Sequence, residues 1–86
     1  MKVLQGIATL LKHYPKSYIL HNIQGASYAR LGHLDDAIKS YKRAIIIKSD
    51  YPDAFNNIGN ALKDQGKLEA AIVSFTKALS IKPDLY

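Results

Sequence analysis

Apolar positions recur along this chain at helical spacing, and the spacing itself recurs. In the second half, Ala71, Ile72, Phe75, Ala78 and Leu79 fall at i, i+1, i+4, i+7 and i+8, one stripe of a helix. In the first half, Ala37, Ile38, Tyr41, Ala44 and Ile45 repeat the stripe 34 residues earlier. Each stripe sets alanines around one aromatic ring, so a neighbouring helix can come close beside a ring that fills the gap. Ahead of each stripe lies a second helical stretch, closed by Gly32 or Gly66, a residue able to take the left-handed conformation that ends helices. Shifting the sequence by 34 residues aligns eleven identities: Asn22 on Asn56, Gly25 on Gly59, Gly32 on Gly66, Leu34 on Leu68, Ala37 on Ala71, Ile38 on Ile72, Ser40 on Ser74, Ala44 on Ala78, Ile47 on Ile81, Lys48 on Lys82 and Asp50 on Asp84. A fixed period of this length predicts a helix-turn-helix solenoid.

The pattern predicts five helices, near 2–13, 18–31, 34–47, 52–65 and 68–81. In the first of these Val3, Leu4, Ile7, Leu10 and Leu11 sit one period before the stripe of the third. Residues 1–17 therefore read as the second helix of a preceding repeat, 18–51 as one full repeat and 52–86 as another. Ser17 can cap the helix that follows it, Tyr14 before Pro15 disfavours continued helix, and Pro52 suits a first helical turn. Pro83 is expected to end the last helix, with no capping helix over residues 52–86. Parts of Leu4, Leu11, Val73, Leu79 and Ile81 on the terminal helices are then expected to stay bare unless something covers them, either the rest of a longer array, of which this chain is a fragment, or a second copy.

The spaced residues Phe55, Ile58, Gly59, Leu62, Ala71, Phe75, Ala78 and Pro83 resemble the tetratricopeptide repeat, and Gly25, Tyr28, Ala37, Tyr41 and Ala44 resemble it in the first copy. That copy departs from the pattern at His21, where a large aromatic is usual, at Gln24, where an aliphatic is usual, and at Ser49, where proline is usual. The resemblance implies an all-α superhelix whose first helices line a concave groove. The groove positions are then Ile19, Asn22, Ile23, Ala26, Ala29 and Arg30 in one repeat, and Asp53, Asn56, Asn57, Asn60, Lys63 and Asp64 in the other. An amide both donates and accepts, which suits an extended peptide backbone, so Asn22, Arg30, Asn56, Asn57, Asn60 and Lys63 are the candidate peptide-binding residues. The stretch NNIGNALKDQGKLEAAI followed by IKPD is also similar to bacterial arrays that precede transferase domains, including those like O-linked N-acetylglucosamine transferases. The carboxylate clamp of co-chaperones in this family is incomplete here: Asn57 matches one member, while Asn22 and Ala26 stand where lysine and asparagine are needed.

Charge and composition narrow this further. The net charge of +5 falls toward the N-terminal end, where Lys2, Lys12 and Lys16 are spread too widely to form a nucleic-acid-binding cluster. Lys39, Lys42 and Arg43 read as the solvated face of a helix. The chain has no cysteine, hence no disulfide framework and no thiolate nucleophile. His13, His21 and His33 fall on a helix end, a helix face and a turn, with no partner at zinc-pair spacing. Asp35 and Asp36 are explained by the positive end of the helix they open. The expectation is a non-catalytic, cytoplasmic scaffold with no cofactor, no metal and no membrane span, binding a protein or peptide in the groove. The alternatives are a substrate-docking fragment of a larger transferase, or a repeat that oligomerises through its bare ends.

Overall fold

A computed structural model describes residues 2–83, which form five helices: α1 (Lys2–His13), α2 (Tyr18–Arg30), α3 (Leu34–Ile47), α4 (Pro52–Asp64) and α5 (Leu68–Ile81). The expected second repeat runs on to residue 86, and its last three residues lie outside those described, as does the question of a capping helix. The described residues span 33 × 25 × 21 Å.

The helices start and stop where the local chemistry dictates. Ser17 accepts a hydrogen bond from the Leu20 N–H at 3.2 Å, satisfying one of the orphan donors of the first turn of α2. At the other end Gly32 takes φ +79°, and its N–H reaches the Ala29 carbonyl at 3.0 Å while the His33 N–H reaches Tyr28 at 2.9 Å. Gly66 does the same at φ +80°, with Gly66 bonded to Lys63 at 2.9 Å and Lys67 to Leu62 at 2.8 Å. This nested pair of bonds closes a helix when the residue beyond it is left-handed. Both α2 and α4 end one residue before the expected boundary. Leu31 and Gln65 already turn toward the carbonyl three residues back, at 3.1 Å in each case, so the last turn tightens before the glycine is reached. Pro52 occupies the start of α4, where its missing N–H costs nothing.

The three-residue turns fold α2 onto α3 and α4 onto α5 as antiparallel pairs. Ala37 and Ala44 of α3 are fully buried, as is Ala78 of α5, with Ala71 at 2% exposure. Small side chains at these points let the first helix of each pair press its glycine against a ring. A Cβ built on Gly25 would lie 2.5 Å from the Tyr41 ring and 3.0 Å from the Ala37 carbonyl oxygen, and one built on Gly59 would lie 2.6 Å from the Phe75 ring. The pairs are then joined by α3 and α4 through Ala37, Tyr41 and Ile58, flanked by Tyr28, Ala29, Ile45 and Leu62.

The expected stripes divide in two. On α1, Leu4 and Ile7 are buried against α2, whereas Val3 and Leu10 are exposed. The expectation that Leu4 would be bare is therefore corrected, because Leu4 holds the inter-repeat position that Ile38 holds on α3. Val3 and Leu10 correspond instead to Ala37 and Ala44, the positions that meet the first helix of the same repeat. At the other end Ile72 and Leu79 are exposed although their counterparts Ile38 and Ile45 are buried and half-buried. Among the described residues no helix follows α5 to cover them. Where Gln24 replaces the usual aliphatic, its Oε1 accepts a hydrogen bond from the buried Ser40 hydroxyl at 3.0 Å. His21 fills the aromatic position, buried, with its Nε2–H donating to the Pro15 carbonyl at 2.9 Å.

Gly25→Ala is expected to destabilise the fold by about 1–3 kcal/mol through overpacking, reduced by the roughly 0.5–1 kcal/mol that alanine gains in a helix. Gly59→Ala should cost less, because its close neighbours are ring atoms that can shift, whereas Gly25 also faces a backbone oxygen. Urea unfolding of the two variants, read by helix circular dichroism, checks the order.

Candidate functional site

The first helices of the two pairs, α2 and α4, lie side by side, and one side-chain bond ties them together. The Asn57 Nδ2–H donates to the Asn22 Oδ1 at 3.0 Å. Both residues are half-buried, so this bond spends one amide hydrogen of Asn57 and the carbonyl of Asn22 on the repeat junction. Asn57 keeps its own carbonyl and a second N–H for any ligand. Next along α4, Asn56 is half-buried, while Asn60 and Lys63 are exposed. On α2 the counterparts of Asp53 and Asn57 are apolar, with Ile19 exposed to 52% and Ile23 to 43%. Arg30 is exposed at the end of α2 and lines a cleft of about 610 Å³ with Lys2, Val3, Leu4, Ser27 and Leu31. The structure thus joins Asn22 to Asn57, strings Asn56, Asn60 and Lys63 along α4, and sets Arg30 at the border with α1.

An aromatic cluster that sequence reasoning missed braces the junction from below. The rings of Tyr18 and Tyr51 meet edge to face, with centroids 5.0 Å apart. Lys48 places its Nζ 5.4 Å from the centre of the Tyr18 ring and 3.3 Å from Asp50 Oδ1. Tyr51 precedes α4 with no side-chain cap bond, where Ser17 caps α2. Burial pushes the Tyr51 phenol above its ordinary value of 10.0, the Asp53 carboxylate and Tyr18 add to the rise, and a hydrogen bond from Asn22 and the Lys48 charge oppose it. The sequence did carry a signal: Tyr18 and Tyr51 stand one residue short of a full period, which brings the starts of neighbouring repeats together. A second tie, Gln65 Nε2–H to Asp35 Oδ1 at 2.7 Å, links the end of α4 to the start of α3.

The histidines stay apart. His13 approaches the Thr9 carbonyl at 3.2 Å, His21 is held on Pro15, and His33 stacks on Tyr28 with ring centres 6.2 Å apart. Among the described residues no group of three or more His, Cys, Asp or Glu side chains could hold a metal ion, and no helix is long and apolar enough to cross a membrane.

Paired antiparallel helices stacked at a fixed period, with first helices side by side, define an all-α helical-repeat solenoid. The family follows from direct matches: residues 25–66 match a family model described as TPR repeat, and residues 52–85 one described as Tetratricopeptide repeat. With two models of one repeat spanning residues 25–85 between them, the chain belongs to the tetratricopeptide-repeat family. Its members are generally non-catalytic scaffolds that mediate protein–protein interaction. The chain is similar to "Tetratricopeptide repeat domain-containing protein PYG7, chloroplastic" of Arabidopsis thaliana, at 31% identity over 65 residues, covering 76% of this chain and 22% of that protein. Its fold is similar to that of MamA, with a TM-score of 0.89 and 25% identity over 93% of this chain and 47% of that one. It is also similar to a structure described as "First TPR of Spaghetti (RPAP3) bound to HSP90 peptide SRMEEVD", with a TM-score of 0.91 over 96% of this chain and 66% of that one. At 20% identity that last likeness is one of fold alone. The chain spans between 20% and 42% of the length of the curated relatives it matches.

Two outcomes follow from the junction. Asn57→Ala is expected to cost about 0.5–1.5 kcal/mol of stability by deleting the bond to Asn22, measured by urea unfolding. The phenols of Tyr41 and Tyr51 are both held above 10.0 in the folded chain, so above that pH the folded chain keeps protons the unfolded chain has lost. Stability from this source is full below pH 10 and falls as pH rises through the folded values. Tyr41→Phe, which puts in the first repeat the ring that Phe75 supplies in the second, should flatten the fall; equal slopes would remove Tyr41 from the account.

Proposed function

We propose that the chain is a non-catalytic interaction module that holds an extended segment of a partner protein along α2 and α4. The observation that carries the reading is the pairing on neighbouring helices of exposed apolar groups, Ile19 and Ile23, with amide and ammonium groups, Asn56, Asn60 and Lys63. Apolar anchors supply affinity and convergent polar groups fix the register of a bound backbone. Asn57 offers its free carbonyl and remaining N–H, while Asn22 acts mainly by positioning Asn57. Arg30 extends the face toward α1. In this reading 18–51 and 52–86 are the two repeats, 1–17 is the second helix of a preceding one, and the location is cytoplasmic. The fold neighbour bound to SRMEEVD supports peptide capture by this architecture in general. The ligand of this chain is of another kind, since Asn22 and Ala26 replace the lysine and asparagine that a carboxylate clamp requires.

A narrower reading rests on the resemblance of NNIGNALKDQGKLEAAI and IKPD to bacterial arrays joined to transferases: the module would then dock substrates for a catalytic domain. A transferase domain encoded after Tyr86 in the same reading frame supports it, and an open reading frame with only further repeats removes it.

The test of the module is a display library of random ten-residue peptides panned against the chain. Peptides selected on the wild type should lose about tenfold or more in affinity to Ile23→Asp and to Asn60→Ala with Lys63→Ala, with helicity unchanged. Undiminished binding by both variants would move the site elsewhere. The peptide SRMEEVD should bind no more tightly than a scrambled version of itself, and clear preference for it would restore the clamp.

A further inference from the structure

The outer face of α5 differs from the equivalent face of α3 in a way that stacking of another repeat does not require. On α3, with α4 packed beside it, Ile38 is buried and Leu34 and Ile45 are half-buried; their counterparts Leu68, Ile72 and Leu79 are exposed to 59%, 61% and 42%. A following repeat would account for these three. It would not account for their neighbours. Lys39 and Lys42 stay exposed on α3 although α4 is packed beside them, and the residues one period later are Val73, at 69% exposure, and Thr76. Two lysines of the solvated face have become an apolar and a neutral residue, so the apolar surface of α5 is wider than the solenoid needs. What charge remains is Glu69 and Lys77, both exposed. At 100° per residue these two lie on the same flank of α5 as Val73, four residues before it and four after.

We infer that α5 pairs with α5 of a second copy of this chain, antiparallel about a two-fold axis passing near Val73. In that arrangement Glu69 of each copy faces Lys77 of the other, Val73 meets Val73, and Leu68 lies near Leu79 across the interface. Parallel pairing would set Glu69 against Glu69 and Lys77 against Lys77. The charge pattern therefore selects one orientation, and the contact is isologous and closes at two copies. The groove of α2 and α4 lies on other helices, so this pairing is independent of the peptide-binding reading.

The experiment is sedimentation equilibrium of the 86-residue chain over a wide concentration range at low salt. The wild type should show a monomer–dimer equilibrium. Val73→Lys, which restores the residue type of Lys39 at a site already in water, should weaken dimerisation about tenfold or more without changing the unfolding midpoint extrapolated to low protein concentration. Glu69→Lys and Lys77→Glu should each weaken it, and the two together should restore it. As a separate readout, Val73→Cys should oxidise to a covalent dimer faster than Ile46→Cys, an exposed control on α3. A monomer at every concentration would overturn the proposal, as would a dimer indifferent to Val73→Lys or to the charge reversals.

Discussion

The close approach of a helix backbone to an aromatic ring sets the geometry of this molecule. At Gly25 and Gly59 there is room for a hydrogen and no more, because Tyr41 and Phe75 lie where a Cβ would stand. That contact fixes the distance between the helices of a pair. It is possible only because Ala37 and Ala44, or Ala71 and Ala78, remove side-chain bulk on either side of the ring. Interiors pack at nearly crystalline density, so the pair is locked in one arrangement. In the first pair the same ring also reaches the next pair: Tyr41 is part of the cluster with Ile58 that joins α3 to α4. One contact type thus governs both the hairpin and its stacking.

This dependence explains what could be read from the sequence. The glycines, alanines and rings recur at the period because the contact recurs, so all five helices are placed correctly to within a residue at either end. The turns were legible for the same reason, since only glycine takes the left-handed conformation at residues 32 and 66 without strain. What the period did not reveal is where the two copies differ. Gln24 with Ser40 is a hydrogen-bonded pair of a half-buried amide and a buried hydroxyl, whereas the second copy has Ile58 with a less buried Ser74. A polar group at an aliphatic position looks like a defect until its partner sixteen residues away is known. Tyr18, Tyr51 and Lys48 escaped notice because Tyr18 and Tyr51 stand 33 residues apart, one short of the period, so aligning one repeat on the other does not set them side by side.

The candidate site shows the same division. Its helix face follows from register, so the positions along α2 and α4 were legible. Its chemistry was not. Asn22 and Asn57 both read as candidate groove amides, yet they bond to each other, because adjacent first helices bring successive groove positions within reach. A pattern that lists positions cannot say which of them satisfy one another, and in a half-buried setting mutual satisfaction is favoured over two amides left to water. The exposed residues Asn60, Lys63, Ile19 and Ile23 are the ones whose surface is unspent.

The ends of the solenoid are unlike in a manner that bears on how the chain meets other proteins. On α1 the inter-repeat face, Leu4 and Ile7, is covered, and the bare residues Val3 and Leu10 are those that would meet the first helix of their own repeat. On α5 the reverse holds: Ala71 and Ala78 are covered, and Leu68, Ile72 and Leu79 are bare. Among the described residues, each end offers the surface of a second helix. Joining the two ends head to tail would set second helix against second helix with no first helix between, which breaks the alternation that stacks the interior. A head-to-tail contact between these two faces would not continue the solenoid's alternation, whereas a closed two-fold contact between identical faces does not have to continue it.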